Sequence, residues 1–453
     1  MARKIRAWYN AEQADSIWLN AGSQFQGTLS KEGFSNALKT QLFPYGHIVG
    51  FGFANTIDHG VDRYRLTTEK GLNLQMLLKL DAEGKISTLY FQPWKGDVRE
   101  RKDSLWYDNA RTNALDNLVH EAAINFLEKS NTPGISILVL QNNRANYYNY
   151  GWARESTQQH PTPQMLYEIG SLTKTFTAFL LADAVLNKQV KLADPITKFL
   201  PDSVAKNKNL AQITLMQLSN HTSGLPRLPS NMLPEHIDLK DPYRNYSPDD
   251  LFSYLRTAKT ENKPGTTYSY SNLGFGLLGV ILEKIYQKPL EEIYRQLIFQ
   301  PFGMRNTTSL SLADTTMAAA PHNQEGNPSA YWNFQSMAAA GSIKSNLEDM
   351  ARYAMQFTLR PRGKNNKPDE RILLVDSLTF SDKNIHAGLG WRFNQASTEN
   401  RRMIHSGGTG GFRSHLEIIP ARKEAILVLS NAEDEQAIVL GELLSKQIRE
   451  MNK

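Results

Sequence analysis

The 453-residue sequence contains no cysteine. That single absence removes thiol nucleophiles, disulfide scaffolds, iron–sulfur clusters and cysteine zinc sites together. A covalent nucleophile must then be serine, threonine, lysine or a carboxylate. No stretch reaches the roughly 18 apolar residues that a membrane-crossing helix needs. The opening MARKIRAWYNAEQADSIWL also has no uninterrupted apolar core of a signal peptide. The location expected is periplasmic or secreted, with the signal absent from this chain, and cytoplasmic is the alternative. Basic residues number 51 against 45 acidic, a net +6, and no basic stretch is concentrated enough to suggest nucleic acid. The ten histidines are scattered without a His-Glu-x-x-His, and Walker loops and Gly-x-Ser-x-Gly elbows are missing. Neither a metal nor a cofactor is expected. Gly274-Phe-Gly276-Leu-Leu-Gly279 matches the dinucleotide pattern. It has no strand before it and no acidic residue placed for a ribose, so its glycines are read as close helix packing.

With 40% hydrophobic and 21% charged residues the chain can bury a sizeable core, and its length calls for at least two domains. Residues 1–95 read as a small α+β unit. It has helical stretches at Ala11 to Leu19 and, after the cap Ser30, to Gln41. A hairpin follows, in which Leu72, Leu74, Met76, Leu78 and Leu80 alternate onto one face. IDHGVDRY reads as a turn. The charged, aperiodic stretch 96–112 is the linker candidate, and 113–453 forms the second unit. That unit opens with an amphipathic helix and the apolar run PGISILVL, and it closes with GLGWRF, HLEIIP, EAILVLS and a final helix. Helical patterns and Pro/Gly loops fill the middle. The fold expected is α+β: one antiparallel sheet built from both ends, flanked by helices and carrying an inserted helical lobe.

The chemistry centres on Ser171-Leu-Thr-Lys174 in YEIGSLTKTFTAFLLADAV. Gly170 ends a strand and helix formers follow, so Ser171 stands at a helix N-terminus with Lys174 one turn on, on the same face. First-turn N–H groups are unpaired, and that of Ser171 can hold the oxyanion of a tetrahedral intermediate. A buried lysine loses its proton more easily than one in water and can accept or relay that of the serine. The tetrapeptide alone is common. Ser203-Val-Ala-Lys206 is a second instance, read as a solvated loop, and Tyr-x-Asn begins at Tyr107, Tyr147, Tyr243, Tyr270 and Tyr331.

Order and context separate them. Tyr270-Ser271-Asn272 follows a Pro-Gly turn and precedes an apolar helix, while His405-Ser406-Gly407 stands on a strand entering the glycine-rich turn of RRMIHSGGTGGFRSHLEIIP. With PGISILVL, ITLMQLSNHTSGLP and AAAGSIKSNLEDMARYA along the way, the chain resembles, from about residue 113 to 450, the serine hydrolases of the class C β-lactamase and penicillin-binding-protein superfamily. The resemblance implies a β-lactamase/transpeptidase-like fold and a serine hydrolase acting on an ester, a D-amino-acid peptide or a β-lactam. It implies Ser171 as the acylated nucleophile, Lys174 as its proton partner, and Tyr270 as general base for serine and later for water. A phenol near pKa 10 serves at neutral pH only if adjacent positive charge stabilises its phenolate, or if the proton passes through a Lys–Tyr pair in one step. Asn272 donates its amide near Lys174 or to the acyl group, or is a structural turn residue. Gly408 supplies the second oxyanion N–H, and Gly407 lies where substrate backbone approaches.

Two departures are informative. His405 replaces the usual lysine, so a fixed cation becomes a group titrating near neutrality and β-lactam recognition weakens. After SNHTSGLP the chain continues Arg227-Leu228-Pro229, without the glutamine that class C enzymes place there. Both shift the expectation toward an esterase or D-amino-acid peptidase. Arg413 is the candidate substitute for a carboxylate anchor, with a solvated surface arginine as the other reading. His221 is expected to tie down a loop, and Trp391 to be a core aromatic. The contrasting function is a non-catalytic binding protein, whose signature would be a lost motif residue; Ser171, Lys174, Tyr270 and Asn272 are all present. The N-terminal unit is similar to the cone-shaped nuclear-transport-factor-two-like domains, which implies a protein partner or dimerisation.

Overall fold

A computed structural model describes residues 1–27, 30–94, 98, 105–232, 238, 240–358, 369–398 and 400–451. Two compact units divide the chain, one within Met1–Asp97 and one formed by most of Val98–Lys453. In the first, helices α1 (Ala2–Asn10), α2 (Ala14–Leu19), α3 (Ser23–Gln26) and α4 (Lys31–Gln41) precede strands β1 (Ile48–Ile57), β2 (Val61–Thr68), β3 (Asn73–Leu80) and β4 (Ile86–Pro93). The strands pair antiparallel in chain order. Ser30 caps α4 by accepting from the Gly33 N–H at 3.0 Å. Leu74, Met76 and Leu78 are buried as their alternation requires, but Leu80 is 38% exposed. A register shift between Lys79 and Leu80 turns that last residue out of the face. Helix α1 was not expected from the pattern, although Ala2, Ile5 and Tyr9 give it a buried stripe. The expected stretch from Ala11 begins only at Ala14. Asp58–Gly60 turns β1 into β2 through His59 in the left-handed region, φ 61°.

The second unit contains, in chain order, α5 (Ala114–Glu128), β5 (Gly134–Gln141), β6 (Arg144–Gly151), β7 (Tyr167–Glu168), α6 (Thr173–Leu186), α7 (Asp202–Ala205), α8 (Leu215–Ser219), α9 (Pro248–Leu255), α10 (Asn272–Tyr286), α11 (Leu290–Tyr294) and α12 (Ala338–Gly341). There follow β8 (Lys344–Ser345), α13 (Leu347–Thr358), α14 (Glu370–Val375), β9 (Phe380–Ser381), β10 (His386–Ala387), β11 (Arg392–Phe393), β12 (Met403–Gly408), β13 (Arg413–Ile419), β14 (Glu424–Ser430) and α15 (Gln436–Met451). The eight-stranded antiparallel sheet runs β6-β5-β14-β13-β12-β11-β10-β9, so β14 from the chain's end joins β5 from its start. Both faces of β5 are buried. Ile135, Ile137 and Val139 pack with α5 and α15, while Leu138 and Leu140 face the helical lobe. An unbroken apolar run results where a one-sided strand would alternate.

Of the expected linker, residues 96, 97 and 99–104 lie outside the described residues. Residues 105–112 belong to the second unit: Trp106 stacks on His160 at 4.0 Å, and Asp108 accepts from the Asn149 N–H at 2.7 Å. The Gly276 and Gly279 reading holds. A Cβ there would lie 2.6 Å from the Met337 sulfur and 2.4 Å from Ala339 Cβ, so α10 and α12 meet through these glycines. Ser203 and Lys206 are exposed as expected, but on and beside the short helix α7 in place of a loop.

Candidate active site

Ser171 sits in a single tight turn, Gly170–Leu172, between β7 and α6. Gly170 is required there for two reasons. Its φ is +51°, and a Cβ would lie 2.6 Å from the backbone nitrogen of Gly408. Gly407 is as constrained, since its Cβ would fall 2.1 Å from Ile169 O and 2.9 Å from Ser171 N. The glycine end of β12 is therefore pressed against the serine turn. Thr409 N–H donates to Phe412 O at 3.1 Å, and the next pair along, Gly408 with Arg413, is of the kind that makes no bond between the strands. That alternation turns the Gly408 N–H away from β13. The Ser171 and Gly408 nitrogens thus both lie where the serine turn meets the glycine end of β12.

Lys174 lies one helical turn beyond. Its Nζ donates to Ser171 Oγ at 2.9 Å and to Ala340 O at 2.6 Å, and the residue has no solvent exposure. Burial, with the nearby charge of Arg227 adding to it, holds its pKa well below the ordinary lysine value.

The segment carrying Tyr270 is pinned on both sides. Ser271 Oγ caps α10 by accepting from the Gly274 N–H at 2.9 Å and donates to Pro226 O at 2.7 Å, while the N–H groups of Asn272 and Leu273 donate to Arg227 O. The Ser271 N–H donates to His221 Nδ1 at 3.1 Å, and the His221 ring lies 4.4 Å from that of Tyr270. His221 ties down this loop, as expected of it. The Tyr270 hydroxyl hydrogen-bonds with Ser171. Burial raises the phenol's pKa, against which that bond and the Arg227 charge act. Lys174 Nζ stands 5.0 Å from the Tyr270 ring centroid. A lowered lysine facing a raised tyrosine is the reverse of an ammonium–phenolate pair: the arrangement favours neutral amine beside neutral phenol.

The structure corrects three expectations. His405 does not titrate near neutrality, because burial first and the Lys174 charge second push it down to about 3. Its Nδ1 lies 2.8 Å from Ser406 O and so carries the proton, leaving Nε2 as an acceptor. Arg413 is neither a solvated surface group nor an unoccupied anchor. It is bound to Glu433 at 3.2 Å and Glu435 at 2.7 Å, and it donates to the Thr409 and Phe412 carbonyls at 2.7 and 2.9 Å. It fastens the glycine turn. Asn272 turns its amide to Tyr243 Oη at 3.3 Å, and its buried Oδ1 has no partner among the described residues.

Ser171, Tyr270, Asn272, His405, Gly407, Gly408 and Arg413 all line one cleft of about 870 Å³, and Lys174 lies beneath it. The cleft also presents Trp332 and Tyr243, whose rings meet edge to face at 5.4 Å, and the cations Arg227, Arg392 and Lys383. Sequence reasoning did not bring these to the site. Tyr243 and Trp332 sit in irregular loops where periodicity carries no signal, and Arg227 was visible only as the place of a missing glutamine. Trp391 is a core residue against Phe357, as expected.

The β-lactamase family model matches residues 119–444. A β-lactamase of Escherichia coli (strain K12) is 28% identical over 356 residues, covering 70% of this chain and 89% of its own. The D-alanyl-D-alanine-carboxypeptidase/endopeptidase AmpH of the same organism is 28% identical over 313 residues, covering 66% and 80%. The crystal structure of a β-lactamase/D-alanine carboxypeptidase from Pseudomonas syringae shares the fold with a TM-score of 0.65, at 23% identity, over 75% of this chain and 100% of that one. With the family match spanning most of the chain and these relatives covering most of their own lengths, the protein belongs to the β-lactamase family and is a serine hydrolase.

Proposed function

We propose that the enzyme hydrolyses an ester or a D-amino-acid peptide through an acyl-Ser171 intermediate, with β-lactams as poorer substrates. The observation that carries the first part is the fully buried Lys174, with Nζ 2.9 Å from Ser171 Oγ. Neutral Lys174 accepts the Ser171 proton as Oγ bonds to the acyl carbon. The N–H groups of Ser171 and Gly408 receive the oxyanion. Protonated Tyr270 then delivers a proton to the departing oxygen or nitrogen and is resupplied from Lys174, so no free phenolate is required. Water repeats the sequence on the acyl-enzyme, giving its proton to the same pair, and Ser171 Oγ leaves with one.

The preference rests on His405. An uncharged imidazole at the third motif removes the fixed cation that would meet a β-lactam carboxylate at that position, which favours the ester and peptide readings. Steady-state turnover of a short-chain activated ester, a D-alanyl-D-alanine peptide and a penicillin by the same preparation tests it. Faster ester or peptide turnover is expected; a kcat/KM for penicillin exceeding both overturns the preference.

For the N-terminal unit we infer a nuclear-transport-factor-two-like fold that serves a partner or a second copy. Phe53 and Tyr90 support this, being 58% and 63% exposed on its sheet. Sedimentation of the full chain and of a Phe53→Glu, Tyr90→Glu variant checks it; a monomer in both, with no co-purifying protein, rejects that use. We also place the enzyme outside the cytoplasm, in keeping with a wall-peptide substrate, which fractionation of producing cells decides.

A further inference from the structure

The arginines lining the cleft are Arg227, Arg392, Arg402 and Arg413. Arg402 pairs with Glu417 at 3.1 Å and Arg413 with Glu433 and Glu435. Among the described residues, Arg227 and Arg392 have no salt bridge and no side-chain hydrogen bond, and Lys383 on the same wall has none. Of the acids that line the cleft, Glu433 and Glu435 are taken by Arg413, and Glu442 makes no ion pair with Arg227, Arg392 or Lys383 among the described residues. An exposed cation without a counter-ion in a substrate cleft is a vacancy for an anion.

Arg227 is the best placed of them. Its main chain is latched to the catalytic segment: Arg227 O accepts from Asn272 N–H at 3.0 Å and Leu273 N–H at 3.2 Å, and the preceding Pro226 O accepts from Ser271 Oγ. Its guanidinium carbon lies 5.1 Å from the Tyr270 ring centroid, and the Tyr270 hydroxyl reaches Ser171. One aromatic ring therefore separates an unpaired guanidinium from the reacting oxygen. A planar guanidinium binds carboxylate with two parallel hydrogen bonds, which fixes orientation as well as charge. The two positions expected to supply charge do not: His405 is neutral and Arg413 is occupied.

Resting on the hydrolase reading above, we propose that Arg227 is the anion anchor of this cleft, so that preferred acyl donors carry a carboxylate close to the scissile carbonyl. Arg392 stands on β11 opposite Ile404, beside His405, and adds to the same field. Substrate selection by charge has moved from the third motif to the loop that follows SNHTSGLP.

Two activated esters of matched length test this on the full chain: the p-nitrophenyl half-ester of glutaric acid, which is anionic, and p-nitrophenyl pentanoate, which is neutral. Rates are expressed per site titrated with a fluorophosphonate, so a poorly folded variant does not mimic the effect. Wild type is expected to favour the half-ester. In Arg227→Gln the ratio of the two kcat/KM values falls by about tenfold, chiefly through KM. Arg227→Glu lowers it further, and added salt erodes the wild-type preference. A ratio unchanged in both variants overturns the anchor, as does a ratio that collapses in Arg392→Gln but not in Arg227→Gln. Wild type that titrates no site and turns over neither ester overturns the hydrolase reading as well; titration and turnover without charge preference overturns the anchor alone.

Discussion

Lys174 Nζ lies between Ser171 Oγ and Ala340 O, 2.9 Å from one and 2.6 Å from the other. The lysine is fully buried although Ser171 opens onto the cleft, and that burial sets the amine's proton affinity. Between the lowered native value and the ordinary value of about 10.4, the unfolded chain holds a proton that the native state lacks. Stability then rises with pH through that window, and near neutrality the buried lysine is a net cost. Lys174→Met removes it. Melting at pH 7 should occur no lower than in wild type, while kcat/KM for an activated ester falls by about 10²- to 10⁴-fold.

Gly170→Ala places a Cβ in the left-handed region and 2.6 Å from Gly408 N. The strain costs about 1–3 kcal/mol, and relieving the contact pushes Gly408 from the oxyanion position. Denaturant unfolding should report the first effect. A kcat lowered by about 10²-fold, with KM little changed, should report the second.

Acid sensitivity follows from buried histidines. His405 is pushed down to about 3 and His415 to about 4, each chiefly by burial. From about pH 6.5 down to these values the unfolded chain takes up protons that the native chain refuses, so stability present near neutrality is lost as pH falls. His415 lies outside the cleft lining, with Nδ1 at 3.0 Å from Ser406 Oγ. In His415→Gln the slope of stability against pH between about 6 and 4 should flatten by up to about 1.4 kcal/mol per unit. The pH profile of kcat/KM should carry no His405 inflection near 6.5, and His405→Gln should leave its acid limb in place.

Arg413→Gln tests the correction made to that residue. It strips Glu433 and Glu435 of their partner and releases the Thr409 and Phe412 carbonyls. The turn beside Gly408 loosens, so activity toward anionic and neutral esters should fall alike, with a lower melting temperature. A loss confined to the anionic ester would restore Arg413 as an anchor.

What was legible follows from what each feature depends on. Ser171, Lys174, Tyr270 and His405 were found because their identities and order carry the signal, and the sheet because β5 and β14 are long apolar runs. The β1–β2 hairpin was not, since Gly50, Gly52 and Asn55 interrupt its alternation, and most of β1 is exposed. Arg413 and Arg227 look equivalent as letters. Only folding brings Glu433 and Glu435 to the first and, among the described residues, leaves the second with none. The state of His405 likewise depends on burial, which no spacing records.

Intact-mass analysis with peptide mapping after fluorophosphonate treatment tests the central claim most directly. One adduct per chain on the peptide bearing Ser171, absent in Ser171→Ala and suppressed in Lys174→Met, is the result predicted. No adduct on the wild-type chain, or an adduct that survives Ser171→Ala, would contradict it.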